Sequence, residues 1–537
     1  MKLTYLLHHL LLASAERSPD APALTFGKDT WSYARTAEAT LEFAAGLGSL
    51  GLERGERVAI YLEKRFETAV AAFGAAAAGG VFVPINPILK PDQVAYILRH
   101  CNVRVLVTSP ARLAQLQEVL AQCHDLRHVV ATGAPSECPE IADAAVHAWA
   151  DLPDTAAAPP PRIIDTDMAA ILYTSGSTGG PKGVVLSHRN MVMGAKSVAQ
   201  YLENRPEDTL LAALPLSFDA GFSQLTTAFH AGARVVLLNY LLPRDVVKTL
   251  AKERVTGLTA VPPLWIQLTQ LEWPEGIAEH LRYIANTGGR MPRETLRSLR
   301  ERLPQTRPYL MYGLTEAFRA TYLPPEEVDR RPDSIGKAIP NAEVLVLRQD
   351  GSPCAPHEPG ELVQRGALVA QGYWNDPDKT AQHFRPLPPL APGRQAGLVL
   401  PEIAVFSGDT VRSDEDGYLY FIGRRDEMIK TSGYRVSPTE IEEILYGTRL
   451  VGECIAFGVP HATLGQAVAV VATAHGEAAL DVEALLAECR RLMPAYMVPT
   501  HVHVHGGALP RNPNGKLDRK TLSAQWLEEF AGNDSAQ

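Results

Sequence analysis

The chain has 537 residues, more than one ordinary hydrophobic core accommodates, so a large subdivided domain with a smaller partner is expected. A hydrophobic share of 46% and a charged share of 21% belong to a globular enzyme rather than a disordered or fibrous chain. The net charge of -9, with no block of clustered Lys and Arg, argues against nucleic acid or an anionic membrane as the partner.

In chain order, residues 1–16 read as an amphipathic first helix that stops before Pro19. His8 and His9 interrupt its apolar run, which speaks against a secretory signal despite Lys2 and Ala13-Ser14-Ala15. Apolar runs bounded by Gly and Pro follow at 57–62, 103–108, 169–173, 234–238 and 257–261, with helical segments between them. Residues 67–78, nearly all small or apolar, predict a buried crossover helix, and the alternation predicts an α/β class with mostly parallel sheets. No run has the unbroken apolar length of a membrane span. Two Pro-rich stretches, 152–167 and 386–401, read as connectors. Asp416-Gly417 is a turn that joins 410–413 to 418–422 as a hairpin. From about Arg424 the chain has its own strand and helix pattern, which predicts a small C-terminal α+β domain. The six cysteines are dispersed without a C-x-x-C pair, so neither a zinc site nor a disulfide framework is indicated and the reducing cytoplasm is the expected location.

The most informative segment is Thr174-Ser175-Gly176-Ser177-Thr178-Gly179-Gly180-Pro181-Lys182-Gly183. Its glycines, hydroxyls and single lysine can surround a polyphosphate with backbone N–H groups, O–H donors and one positive charge. It is not a Walker loop, because Pro181 precedes Lys182 and Gly183 follows it. Residues 184–186 continue as a strand, so the loop joins two strands rather than opening a helix.

This segment resembles the phosphate loop of the AMP-forming adenylate-forming superfamily, which comprises acyl-CoA synthetases, peptide-synthetase adenylation domains and luciferases. The resemblance extends from about Ser18 to Arg519. Tyr312-Gly313-Leu314-Thr315-Glu316 is similar to the segment that stacks on adenine, meets the α-phosphate through Thr315 and binds Mg²⁺ through Glu316. Thr287-Gly288-Gly289 is similar to the turn between the adenine and acyl pockets. Asp409 matches the carboxylate that accepts the ribose hydroxyls, Arg424 the arginine at ribose or phosphate, and Asp426 the hinge. Gly433 sits where the thioester-forming loop admits a pantetheine arm, and Lys516, in Pro513-Asn514-Gly515-Lys516, matches the catalytic lysine. The resemblance implies an N-terminal domain over 1–423, a hinge at 424–426 and a lid over 427–537. It also implies ATP and Mg²⁺, a first half-reaction served by Lys516, Lys182, Thr315 and Glu316, and a second in which a phosphopantetheine thiol takes the acyl group.

Phe218-Asp219 bears on the acid. Amino-acid-activating relatives have Phe-Asp there, the aspartate pairing with the substrate ammonium, whereas fatty and aryl ligases often have histidine or a neutral residue. The competing reading is that Asp219 caps the following helix. Met311, Gly289 and Arg319 complete the implied acyl pocket; Arg319 either receives a side-chain carboxylate, suggesting an acidic amino acid, or is a structural or surface ion-pair partner. Leu314 departs from the proline usual in peptide synthetases, and Lys430-Thr431-Ser432-Gly433 is nearer to acyl-CoA ligases. The opening segment and residues 218–226 most resemble free-standing exosortase-associated ligases. Three readings stand: an amino-acid ligase that loads a separate carrier protein, an acyl-CoA synthetase using free CoA for a fatty or aromatic acid, and a non-catalytic nucleotide-binding regulatory protein.

Overall fold

The computed structural model describes residues 4–153, 161–174, 181–394, 397, 399–424, 427–431, 434–461, 463–476 and 479–533, with side chains omitted for 435 and 528–533. Three sheets carry the fold.

One sheet has seven strands. Arg57–Tyr61 pairs in parallel with Val81–Pro84 and with Val103–Thr108, and Met168–Thr174 turns back antiparallel onto Lys182–Ser187. The predicted crossover helix is Phe66–Ala77, with Ala71, Phe73, Ala75 and Ala76 excluded from solvent. Its small residues let it pass close to its neighbours: a Cβ on Gly74 would lie 2.9 Å from the Thr40 carbonyl oxygen. The first helix is His9–Arg17, beginning later than its periodicity suggests.

A second, larger sheet has a parallel middle, Pro22–Phe26, Arg234–Leu237, Thr209–Ala212, Gly257–Ala260, Tyr283–Asn286 and Arg307–Tyr312, with Asp29–Ser32 antiparallel at one edge. From Thr321–Leu323 to the other edge, Ala342–Leu347, it is antiparallel and includes the hairpin Ile403–Ser413 with Leu419–Arg424. The parallel expectation therefore holds where helices cross between strands, and short-turn connections in residues 321–424 give antiparallel pairing instead. The helix His188–Tyr201 starts directly after a strand because Ser187 and Asn190 form a capping box.

The third sheet, in which Gly465–Ala474 is central and Val451–His461 is its long antiparallel edge partner, has its own buried cluster that includes Ile441, Leu445, Val468 and Leu485. The α/β class and the small C-terminal unit agree with the sequence reading. No helix among the described residues is long and apolar enough to cross a membrane.

Candidate active site

The loop after Thr209–Ala212 leads into the helix Asp219–Ala231, which Gly232 ends in a left-handed conformation (φ +88°). Gly221 admits no side chain, because a Cβ there would lie 1.6 Å from the Pro215 carbonyl oxygen. Gln224 adds a bond from Nε2 to the Gly221 carbonyl at 2.7 Å. Lys64 reaches the same loop from below and donates from Nζ to the carbonyls of Ala213 (2.7 Å) and Leu214 (3.2 Å). Burial pushes its ammonium down to about 7.

Asp219 is the first helical residue, not the cap, so the capping alternative is set aside. Its Oδ2 accepts from Arg319 Nη1 at 2.6 Å and its Oδ1 from Thr315 Oγ1 at 3.4 Å. Both charges are buried, Arg319 to 2% exposure and Asp219 to 8%. One expectation needs correction: Asp219 is not an unpaired carboxylate, because a guanidinium of the same chain holds it. Arg319 is the other half of that pair, the structural ion-pair alternative rather than the surface one. Its Nε is buried without a hydrogen-bond partner, and the side chain lines a cavity with Met311, Ser223, Gln224, Thr227, Thr259 and Tyr283.

Thr174 and Lys182 face each other across the ends of the two strands on either side of residues 175–180. Ser175, Gly176, Ser177, Thr178 and Gly179 lie outside the described residues, as do Asp426 and Gly433. Lys182 sits over the Tyr373 ring, with Nζ 5.5 Å from its centroid. Tyr373 donates its hydroxyl to Glu316 Oε1 at 2.7 Å. Burial and the neighbouring Lys379 lower the Lys182 ammonium against the pull of Glu316.

Tyr312 donates its hydroxyl to Asp409 Oδ2. Asp409 and Arg424 are directly opposed across an antiparallel pair, with Arg424 Nε 3.2 Å from Asp409 Oδ1. Burial raises the Asp409 carboxyl against the pull of Arg424. Its Oδ1 makes no hydrogen bond to the described residues, so a buried acceptor is available to a hydroxyl.

Lys516 arrives from the C-terminal unit. Asn512 shapes its loop: Oδ1 accepts from the N–H groups of Asn514 (3.0 Å) and Lys516 (3.1 Å), and its own N–H donates to the Lys516 carbonyl at 2.8 Å. Gly288, at φ +77°, makes room for the side chain, since a Cβ there would lie 2.6 Å from Lys516 Cε. Gly289 stays beside it, its carbonyl accepting from Asn286 Nδ2 at 2.8 Å, and Gly313 runs close under Arg319, 3.3 Å from its Cα to a Cβ placed there. Lys516 is lowered first by burial and by Arg424 and Arg319, while Asp219 and Asp409 raise it. The lysine therefore shares one electrostatic environment with both the Asp219–Arg319 pair and the Asp409–Arg424 pair.

The sequence reading missed two contributors. Lys64 is one. Asn86 is the other: it is 5% exposed, its Oδ1 accepts from Ile88 N–H, and its Nδ2 donates to the Pro513 carbonyl in the lysine loop. Neither stands in a motif, and the Asn86 contact spans 427 positions of sequence.

Chemically, the set combines Lys182, Arg424 and Lys516 as cations with the carboxylates of Glu316 and Asp409, the Oδ1 of the latter ion-paired to Arg424 but not hydrogen-bonded. Such a set neutralises a polyphosphate and orients a ribose. One carboxylate beside phosphate-binding groups also fits Mg²⁺, which takes few protein oxygens and completes its shell with phosphate and water.

Known proteins resemble the chain over most of its length. The AMP-binding enzyme family matches residues 11–374 and the AMP-binding enzyme C-terminal domain matches 440–516. The chain is 30% identical over 522 residues to a linear gramicidin synthase of Brevibacillus parabrevis, covering 96% of this chain but only 10% of that protein. It is 29% identical to the long-chain-fatty-acid–CoA ligase of Salmonella typhimurium, covering 95% of this chain and 92% of the ligase. It is also 29% identical to the L-proline–[L-prolyl-carrier protein] ligase of Pseudomonas fluorescens, covering 97% and 99%. The ATP-bound structure of MatB from Rhodopseudomonas palustris superimposes with a TM-score of 0.83 at 25% identity, covering 98% of this chain and 100% of that one. With both the nucleotide-site geometry and a match over most of its length, the chain belongs to the AMP-binding enzyme family.

Proposed function

We propose that the chain activates a carboxylic acid with ATP and passes it to a thiol, and that the acid is an amino acid and the thiol the phosphopantetheine of a separate carrier protein. In the first step a substrate carboxylate oxygen attacks the α-phosphorus, the bond to the bridging oxygen breaks, and pyrophosphate leaves. Charge accumulates on phosphate oxygens, so the catalytic work is electrostatic. Lys516 faces the carboxylate and α-phosphate, Lys182 and the phosphate loop take the β- and γ-phosphates, Thr315 meets the α-phosphate, and Asp409 holds the ribose. Mg²⁺ held by Glu316 supplies further charge neutralisation on the phosphates. In the second step the thiol attacks the acyl carbon, loses its proton, and AMP departs.

The observation that carries this reading is the insertion of Lys516 beside Gly288, where the charges of Asp219, Arg319, Asp409 and Arg424 all act on it. We take residues 1–423 as the body, 424–426 as the hinge at Asp426, and 427–537 as a lid that exchanges Lys516 for the Gly433 loop between steps. The free-standing carrier-protein ligase, matched over nearly its whole length, favours a carrier as acceptor.

A second reading, an acyl-CoA synthetase for an acid without an ammonium, draws support from the Asp219–Arg319 pair itself, which leaves the acyl pocket internally neutral. Pyrophosphate exchange across a panel of amino acids and simple carboxylic acids separates them. Exchange with amino acids supports the first reading, exchange only with acids lacking an amine defeats it, and no exchange with any acid favours a regulatory nucleotide-binding role. Lys516→Ala is expected to abolish exchange while sparing thioester formation from supplied acyl-adenylate.

A further inference from the structure

We propose that Asp219 and Arg319 together form a receptor for an acidic amino acid, the substrate ammonium going to Asp219 and its side-chain carboxylate to Arg319. This rests on the amino-acid reading above and names the side chain that reading leaves open.

The argument is one of charge. Asp219 is negative, Arg319 and Lys516 are positive, and the reacting carboxylate of the substrate offsets Lys516. An incoming ammonium competes with Arg319 for Asp219, whose Oδ2 is 2.6 Å from Arg319 Nη1. If the side chain of the amino acid is neutral, that competition strands a guanidinium of 2% exposure without a counter-ion, an arrangement proteins avoid. A second carboxylate removes the conflict, because one intramolecular ion pair is exchanged for two pairs with the ligand and the total charge of the pocket is zero.

A second observation is independent of that count. Arg319 Nε is buried and has no acceptor, so the guanidinium has a donor left over even while paired to Asp219. The cavity that Arg319 lines has Ser223, Gln224, Thr227 and Thr259 on its wall beside apolar residues such as Leu202 and Met311, with no acidic side chain among its lining residues. A hydrocarbon tail in that space leaves the donor unsatisfied, whereas a carboxylate uses it. Planar bidentate recognition of a carboxylate is what a guanidinium does best.

The test uses the intact wild-type protein and ATP–pyrophosphate exchange on matched compounds: glutamate and glutamine, aspartate and asparagine, and the amine-free diacids glutarate and succinate. The expected result is at least a tenfold advantage in kcat/KM for one acidic amino acid over its own amide, since a site built to pair a buried polar group rejects the ligand that leaves it unpaired. Amides that match or exceed both acids overturn the Arg319 assignment and leave the amino-acid reading standing. Glutarate or succinate matching the corresponding amino acid overturns the Asp219 half and the amino-acid reading with it. Arg319→Gln is expected to narrow the acid-to-amide ratio at least tenfold through KM; an unchanged ratio in a folded variant also overturns the proposal.

Discussion

Replacing Asn86 by alanine tests how Lys516, the proposed catalytic lysine, is delivered. The Asn86 amide joins the body of the enzyme to the Pro513 carbonyl, three residues before Lys516, in a contact that is buried on the Asn86 side and half-buried on the Pro513 side. Other polar ties between the two units among the described residues include the ion pairs of Arg449 Nε with Glu294 Oε1 at 3.1 Å and Arg290 Nε with Glu443 Oε2 at 3.5 Å, and a hydrogen bond from the Arg293 backbone N–H to Glu443 Oε1 at 3.1 Å. Exposed ion pairs contribute about 0–1 kcal/mol each. A buried neutral hydrogen bond contributes about 0.5–1.5 kcal/mol net, and leaving its acceptor unsatisfied costs roughly 1–3 kcal/mol. At about 1.4 kcal/mol per factor of ten, Asn86→Ala should lower the population of the lysine-in arrangement about 3- to 10-fold.

Pyrophosphate exchange reads the first half-reaction, and thioester formation from supplied acyl-adenylate reads the second. Exchange should fall by that factor while the second step is unchanged. Alanine also removes the Oδ1 acceptor that Ile88 N–H uses, so Asn86→Asp is the companion variant: it keeps that acceptor and turns a carboxylate oxygen toward Pro513. Its loss in exchange should be at least as large. Equal losses in both half-reactions, or an unchanged exchange rate for both variants, refute the docking role.

At Gly288 an L-residue meets two penalties, a left-handed φ of +77° and a Cβ 2.6 Å from Lys516 Cε. The backbone term is about 1–2 kcal/mol, so Gly288→Ala should slow exchange at least tenfold with a smaller effect on thioester formation; exchange at the wild-type rate refutes the close-approach argument. Lys64 carries a pH signature: its ammonium falls from 10.5 unfolded to about 7 folded, so between those values the unfolded chain binds the extra proton and stability rises with pH. Lys64→Met should remove up to about 1.4 kcal/mol per pH unit from the slope of unfolding free energy between pH 7 and 10, measured by urea titration. An unchanged slope means that Lys64 is not buried as a lone cation.

Much of the fold was legible because local signals agree with one another. The small apolar run at 67–78 is the crossover helix Phe66–Ala77, and Asp416-Gly417, with Gly417 at φ +80°, turns the hairpin. The antiparallel half of the large sheet was less legible, since a short strand such as Thr321–Leu323 takes its direction from its connection rather than its composition. In the site, motif residues were legible one at a time, whereas their pairing was not. Asp219 and Arg319 stand 100 positions apart, and each alone invited a ligand or a surface.

That pairing changes what kind of specificity the pocket can have. A lone carboxylate attracts any ammonium, so it selects for an amino group and leaves the side chain open. A carboxylate already held at 2.6 Å by a guanidinium attracts an ammonium only if the guanidinium is compensated at the same time. Selection therefore passes from one functional group to the relation between two, an amine at one end of the ligand and an acceptor at the other. Discrimination then comes from the penalty on incomplete ligands, because each group a ligand lacks leaves a buried charge of the protein unpaired. Lys516 sits in the same field, so a mismatched ligand also disturbs the lysine proposed to serve adenylate formation. Recognition of the side chain is thereby coupled to the rate of the first half-reaction, and a wrong acid is penalised in kcat as well as in KM.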